Sequence, residues 1–243
     1  RGAPAMMTAV TTRELPVYNV DTEEKVLSIS FDAAWGRANT EEILNILDRF
    51  DVKTTFFLVG FWAEKHPDLV AEMVARGHEI GNHSATHPHM SQLSSAQIRE
   101  ELRRCSDLVK SITGKPTTLF RPPYGEYNDA VVRISREDGY ECVQWNVDSL
   151  DWKNLGTDHM IHQMQRLDLV LPSVQIQSVE HVIIHMICLE PGKLLVKDLI
   201  KVLLCLYLVH RKLSGQHDLL PIAIGQSKTS DTLTVGIGIG SIH

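Results

Sequence analysis

Val26-Leu27-Ser28-Ile29-Ser30-Phe31-Asp32 decides the fold: an alternating apolar run that stops on a carboxylate. A run of this length and period suits a buried strand, and one that ends on a charged residue delivers it at the strand's carboxyl end. Asp32 is therefore a candidate site residue. The same grammar repeats downstream. Asn39 reads as the N-cap of a helix over 40–50, where Ile43, Leu44, Ile46 and Leu47 share one face. Residues 54–59 make a second strand. A helix from about 62 to 76 closes on Gly77 and leads to a short third strand over 78–81. Ser94 opens a long amphipathic helix over 94–112, with Gly114 just past its end. A fourth strand, 118–120, runs into Arg121-Pro122-Pro123-Tyr124-Gly125, where the prolines forbid further ladder pairing and fix a loop. A helix over 129–138 then leads through Gly139 to a strand over 141–147, and Asp148-Ser149-Leu150-Asp151-Trp152 turns out of it.

Strand and helix alternate strictly, and each polar cluster follows a strand. That is the pattern of a parallel α/β sheet or barrel, here of about seven parallel strands, whose active site lies at the strand carboxyl ends. The clusters around Asp32, His83, Arg121 and Asp148 are thus expected to meet in space. Beyond 157 the pattern weakens, and 167–180 has no clear period. Residues 181–185 suit a sixth strand, 194–213 a helix and 219–224 a seventh, edge-like strand, before a tail over 225–243 that is loose or adds one more strand.

Gly81-Asn82-His83-Ser84-Ala85-Thr86-His87-Pro88-His89 crowds three imidazoles between an apolar run and a proline. One helical turn between His83 and His87 would project both rings from one face, where they can share a cation, zinc by default. Alone, the pair reads more readily as a solvated loop. The convergence of four clusters reverses that reading.

A net charge of −6, with no basic run or aromatic-basic ladder, argues against nucleic acid. The 243 residues suit one barrel domain. Cys105, Cys142, Cys188 and Cys205 show neither C-x-x-C pairing nor disulfide density, so free buried thiols are expected. Arg1-Gly2-Ala3-Pro4-Ala5-Met6 reads as a processed end or a cloning remnant, so any export signal is expected to have been removed ahead of it. The apolar stretches 182–188 and 194–209 are interrupted before bilayer length, and no membrane span is expected. The expected organisation is an extension over 1–24, a catalytic domain over 25–224 and a tail over 225–243.

Over residues 26–152 the chain resembles the polysaccharide deacetylase family, also called NodB-homology or carbohydrate esterase family 4. Ser30-Phe31-Asp32 looks like the first family motif, His83-Ser84-Ala85-Thr86-His87 the second, Arg121-Pro122-Pro123-Tyr124-Gly125 the third and Asp148-Ser149-Leu150-Asp151-Trp152 the fourth. The form Phe31-Asp32-Ala33-Ala34-Trp35-Gly36 is most similar to the sporulation-associated and cell-wall deacetylases of Gram-positive bacteria. The resemblance implies a distorted (β/α) barrel that removes acetyl groups from N-acetylated sugars of peptidoglycan or a chitin-like glycan. It also implies a secreted or cell-envelope setting; a monomer is the favoured state.

Two departures stand out. The family usually has a second, metal-ligating aspartate directly after the first, and here that position is Ala33. A site resting on His83 and His87 alone is expected to bind its divalent ion more weakly, zinc foremost, with cobalt or nickel as alternatives. The last motif is satisfied by Ile183-Ile184-His185, although Val179-Glu180-His181 fits the same loose pattern; His185 is preferred because a helix and a final strand follow it.

Residue by residue, the resemblance implies Asp32 as the base and His185, oriented by Asp151, as the acid. Arg121 would keep Asp32 ionised, the backbone N–H of Tyr124 would hold the oxyanion, and Trp152 and Ile183 would wall a pocket for the acetyl methyl. Trp35 and Trp145 are read as packing residues, and His78 and His89 as solvated or as neighbours of the ligands. Taken singly, a capping carboxylate, a structural ion pair or a core imidazole would explain each of these residues as well. A silent glycan-binding homologue and an unrelated barrel enzyme are the competing readings; the latter requires Asp32 to lie far from His83.

Overall fold

The computed structural model describes residues 13–22, 27–49, 51–153, 155–165 and 179–187. In chain order its strands are β1 (Asn19–Thr22), β2 (Leu27–Ala33), β3 (Thr55–Leu58), β4 (Glu79–Asn82), β5 (Leu119–Phe120), β6 (Glu141–Cys142), β7 (Val147–Asp148) and β8 (Val179–Ile187). Its helices are α1 (Thr40–Arg49), α2 (Gly60–Lys65), α3 (Pro67–Ala75), α4 (Ser95–Thr113), α5 (Asp129–Glu137) and α6 (Thr157–Gln165).

The strands run in the order β1-β8-β2-β3-β4-β5-β6, and β7 pairs back onto β8. The strand expected over 141–147 is in fact broken in two. Its first half, β6, pairs with β5 and its second, β7, with β8, so the parallel strands close into a ring. Val17 bridges to Val143 at the break: its amide donates to the Cys142 carbonyl and its carbonyl accepts from Gln144, both at 2.7 Å. The result is a distorted (β/α) barrel. One strand departs from the parallel set. β1 lies antiparallel to β8, with Asn19 opposite Val182, inside the stretch the sequence assigns to the N-terminal extension. Four residues, Asn-Val-Asp-Thr, carry no period of their own; the free edge of β8 gives them a partner.

Every residue of β2 from Ile29 to Ala33 is buried, as suits a barrel strand covered on both sides. Its two faces differ. Phe31 stacks on Phe56 at 5.2 Å within the layer shared with Ile43, Leu44 and Leu47 of α1. Ser30 and Asp32 alternate to the opposite face, where Arg121 meets both. Burying each phenyl ring stabilises the fold by roughly 2–3 kcal/mol.

The single helix expected over 62–76 is two. Pro67 lacks the amide hydrogen that would continue α2, so His66 ends that helix and Pro67 opens α3. α4 behaves as its sequence says: Ser94 and Gln97 form a capping box, and Gly114 closes the helix in the left-handed region at φ 77°. Gly81 in β4 is required by close approach, since a Cβ there would lie 2.4 Å from a Phe57 ring carbon.

Cys105 and Cys142 are free and buried, and burial pushes both thiols up to about 12. Among the described residues no helix is long and apolar enough to cross a membrane. The expected helix over 194–213, the strand over 219–224, the tail over 225–243, Cys188 and Cys205 lie outside the described residues, as does 167–178 of the unassigned stretch.

Candidate active site

The site is assembled at the carboxyl ends of β2, β4, β5 and β7. Asp32, 3% exposed, is the sixth residue of β2, and Arg121, fully buried, follows β5 directly. Arg121 NH1 donates to Asp32 Oδ1 at 2.9 Å and its NH2 donates to Ser30 Oγ at 2.9 Å. The flat of the guanidinium lies 4.0 Å from the Phe57 ring centroid and 5.4 Å from that of Trp145. Trp145 is thus a packing residue, as expected. It also excludes a side chain at Gly125, whose Cβ would lie 2.6 Å from the indole at φ 66°. Burial pulls the Arg121 guanidinium below its usual range, and the facing Asp32 carboxylate opposes that shift.

The second cluster leaves β4 by a route the sequence spacing misjudges. His83 and His87 are not joined by a helical turn. Ser84 and His87 sit in the left-handed region, at φ 67° and 60°, and Pro88 disfavours a right-handed helical backbone at His87. The loop is tied down instead. Asn82 Oδ1 accepts from the Ser84 amide at 2.8 Å, Ser84 Oγ accepts from the His87 amide at 2.9 Å, and Asn82 Nδ2 donates to the Leu102 carbonyl at 2.8 Å. From α4, the Glu101 carboxylate accepts from the amides of Ala85 and Thr86 at 2.9 and 2.8 Å and from Thr86 Oγ1 at 2.9 Å. The outcome the spacing implied is reached by other means: the two rings lie 5.0 Å apart.

His83 Nδ1 lies 2.7 Å from the Arg121 carbonyl. A carbonyl only accepts, so Nδ1 carries the proton and Nε2 presents a lone pair, 3.3 Å from Asp32 Oδ2. Burial keeps the ring neutral, down to about 3, so this contact is not an ion pair but two electron-rich atoms facing one another. Burial, with His83 beside it, likewise pulls His87 down to about 4. His87 Nδ1 is buried without a hydrogen-bond partner among the described residues.

These features suit a cation. The donor set is nevertheless short, because Ala33 offers only a methyl group, 1% exposed. Among the described residues no three His, Cys, Asp or Glu side chains are grouped to hold a metal ion. Two imidazoles fit a divalent ion as donors; among the described residues no third protein ligand is grouped with them.

The remaining expectations divide. Asp151 is buried and its Oδ1 accepts from Ser149 Oγ. His185 lies in β8 opposite both Ser30 of β2 and Asp148 of β7, and Ile183 lies opposite Ser28. These register positions put the expected acid on the strand next to the expected base. His181 pairs instead with Val20 of β1, four residues back along β8. Tyr124 is 58% exposed at φ 61°, its hydroxyl 3.4 Å from the His87 carbonyl. Trp152 is half exposed, with the Lys153 ammonium 4.9 Å from its ring centroid.

Two placements correct the sequence reading. Trp35 is not a packing residue: it is half exposed, and its ring lies 4.9 Å from that of His87. His78 is neither solvated nor near the ligands. It is buried ahead of the first residue of β4, where its Nδ1 accepts from the Thr54 amide, because the strand's amino end is the far pole of the barrel. His89 is exposed, as expected; it stacks on Tyr124 at 4.4 Å and pairs with Glu126 at 2.6 Å.

Asp148 is the functional candidate the sequence reading left out of its site. Burial, with a smaller contribution from Asp32, raises its carboxyl above the usual range, while the Leu150 amide and Trp152 hold it down. The signal was available, since Asp148 is the first residue of Asp148-Ser149-Leu150-Asp151-Trp152 and ends its strand. A further pointer needs coordinates. Among the described residues, four of the five non-glycine residues at positive φ, Ser84, His87, Tyr124 and Leu150, lie in these loops, and such backbone strain gathers at working sites.

Comparison with known proteins identifies relatives of the chain. The polysaccharide deacetylase family model matches residues 19–143. The peptidoglycan-N-acetylmuramic acid deacetylase PdaA of Bacillus subtilis is 35% identical over 154 residues, covering 60% of this chain and 59% of its own. A peptidoglycan-N-acetylglucosamine deacetylase of Bacillus cereus is 32% identical over 160 residues, 63% of this chain and 75% of its own. A CE4 family pseudoenzyme from Bacillus anthracis shares the fold at TM-score 0.68 and 29% identity, over 84% of this chain and 66% of its own. A mutant of that pseudoenzyme with restored enzymatic activity matches at TM-score 0.68 and 30% identity, over 84% and 67%. The chain spans about half the length of several curated relatives it matches. With a family match across more than half of its residues and four motifs meeting at one barrel rim, the chain belongs to the polysaccharide deacetylase family.

Proposed function

We propose that this chain hydrolyses acetyl groups from N-acetylated sugars of a cell-wall glycan, peptidoglycan or a chitin-like polymer, and works in the cell envelope or outside it. The observation that carries the reading is the contact chain from Arg121 through Asp32 to His83 and His87, inside a family whose relatives are named for peptidoglycan deacetylation. Asp32, held by a buried guanidinium, accepts a proton from the attacking water. His185, oriented by Asp151, protonates the departing sugar nitrogen, and Asp148 lies opposite His185 in register. The Tyr124 amide helps hold the oxyanion, and Trp152 and Ile183 line the methyl pocket. A divalent ion on His83 and His87, zinc foremost with cobalt or nickel as alternatives, would supply Lewis acidity at the acetyl carbonyl. We take the catalytic unit to span 25–224 together with the β1 strand, with a tail over 225–243. A monomer is the working assumption.

Acetate release from peptidoglycan and chitin oligomers, measured alongside metal content, tests this reading. Asp32→Asn is expected to abolish release. A second reading rests on Ala33: the chain keeps the cleft and binds glycan with little or no chemistry, as similarity to a pseudoenzyme supports. Sugar binding without acetate under any metal, and no gain from Ala33→Asp, would select the second reading over the first.

A further inference from the structure

The large apolar side chains left exposed among the described residues include three aromatics, Trp35 at 50%, Tyr124 at 58% and Trp152 at 46%. All three stand on loops that follow strands β2, β5 and β7, at the rim of the site already described. Exposed aromatic surface collected at one rim marks a binding surface rather than a core.

Trp35 differs from the other two because the family resemblance implies no role for it. It is also held in place. Its ring lies between Phe61, at 6.3 Å, and His87, at 4.9 Å and 68°. The backbone around it is pinned: Trp62 Nε1 donates to the Gly36 carbonyl at 2.5 Å and the Val59 amide donates to the Ala33 carbonyl at 3.1 Å. His87 has a second aromatic neighbour, Tyr124 at 4.5 Å, itself backed by His89 at 4.4 Å. A sugar reacting beside His87 therefore has Tyr124 within reach and Trp35 available to whatever is attached to it. The axial C–H face of a pyranose is apolar and weakly positive, and it complements the negative face of an indole.

We propose that Trp35 is the stacking platform of a subsite for a second pyranose ring, next to the sugar that carries the acetyl group under attack. The subsite makes the chain selective for N-acetylhexosamine oligosaccharides over the monosaccharide. This inference rests on the glycan reading above.

Calorimetric titration of the full chain carrying Asp32→Asn with chitotetraose and with N-acetylglucosamine tests it. The tetrasaccharide is expected to bind at least about tenfold more tightly than the monosaccharide. Adding Trp35→Ala should weaken tetrasaccharide binding about three- to tenfold and change monosaccharide binding by less than about twofold, while Trp35→Phe should retain most of the preference. If Trp35→Ala leaves tetrasaccharide affinity unchanged, or weakens both sugars equally, the subsite is overturned and the glycan reading stands. If neither sugar binds the Asp32→Asn chain, both fall.

Discussion

The Arg121 guanidinium lies 4.0 Å above the Phe57 ring, so its face is covered by carbon while its edge serves Asp32 and Ser30. A lysine ammonium can neither stack in that way nor donate along two parallel directions. Arg121→Lys should therefore leave the buried carboxylate poorly paired. Stability is expected to fall by about 3–5 kcal/mol in denaturant titration. Acetate release should fall by at least about 100-fold, and wild-type behaviour in both measurements would show that the pair is dispensable.

Gly81→Ala should act on the same pair from beneath. The added methyl group would meet the Phe57 ring at 2.4 Å, and Phe57 is the surface on which Arg121 rests. Overpacking of this kind costs about 1–3 kcal/mol. Unchanged urea unfolding would mean that the ring can retreat without disturbing the cation.

These two residues also mark what the sequence made legible. The strand ends bearing Asp32 and Arg121 could be placed because alternation and proline breaks report local backbone state. The support beneath Arg121 could not, because Phe57 sits 64 residues away in an unbroken apolar strand that looks like any other core. The His83 to His87 loop shows the same limit: the four-residue spacing suggested a helix, yet side-chain ties from Asn82, Ser84 and Glu101 dictate the path. Likewise Pro67 signalled a helix start that a reading of hydrophobic period alone ran through. Trp35 was misplaced because burial of an aromatic is a matter of tertiary packing, which no local pattern encodes.

Glu101 is expected to behave as a positioning residue. Its carboxylate takes three hydrogen bonds from the segment between the two histidines, so Glu101→Ala should release that loop. Groups that orient ligands in this manner typically contribute about 10–100-fold to metal affinity. Zinc titration of Glu101→Ala should show a loss in that range, recovered in part by Glu101→Gln. A variant that binds zinc like the parent would reduce Glu101 to a surface contact.

Acid should destabilise the fold through the imidazoles. Burial holds His83 down to about 3 and His87 down to about 4, against 6.5 for a free ring. As pH falls the unfolded chain takes up protons that the folded chain refuses, so the unfolded state binds more and stability declines. The contribution is intact above about pH 6.5 and is lost on the way down, through about 4 for His87 and about 3 for His83. Urea midpoints measured in chelator from about pH 7 to pH 5 should drop, and less steeply in His83→Gln. A flat profile, or equal slopes, would contradict the burial of a neutral ring.

The split between β6 and β7 gives the barrel a seam, stitched by Val17 against Val143. Opening the stitch would leave the β2 to β5 pairings whole. Closure of the ring at this point thus draws on a few residues ahead of β1, separate in sequence from Asp32 and from the loop that carries His83.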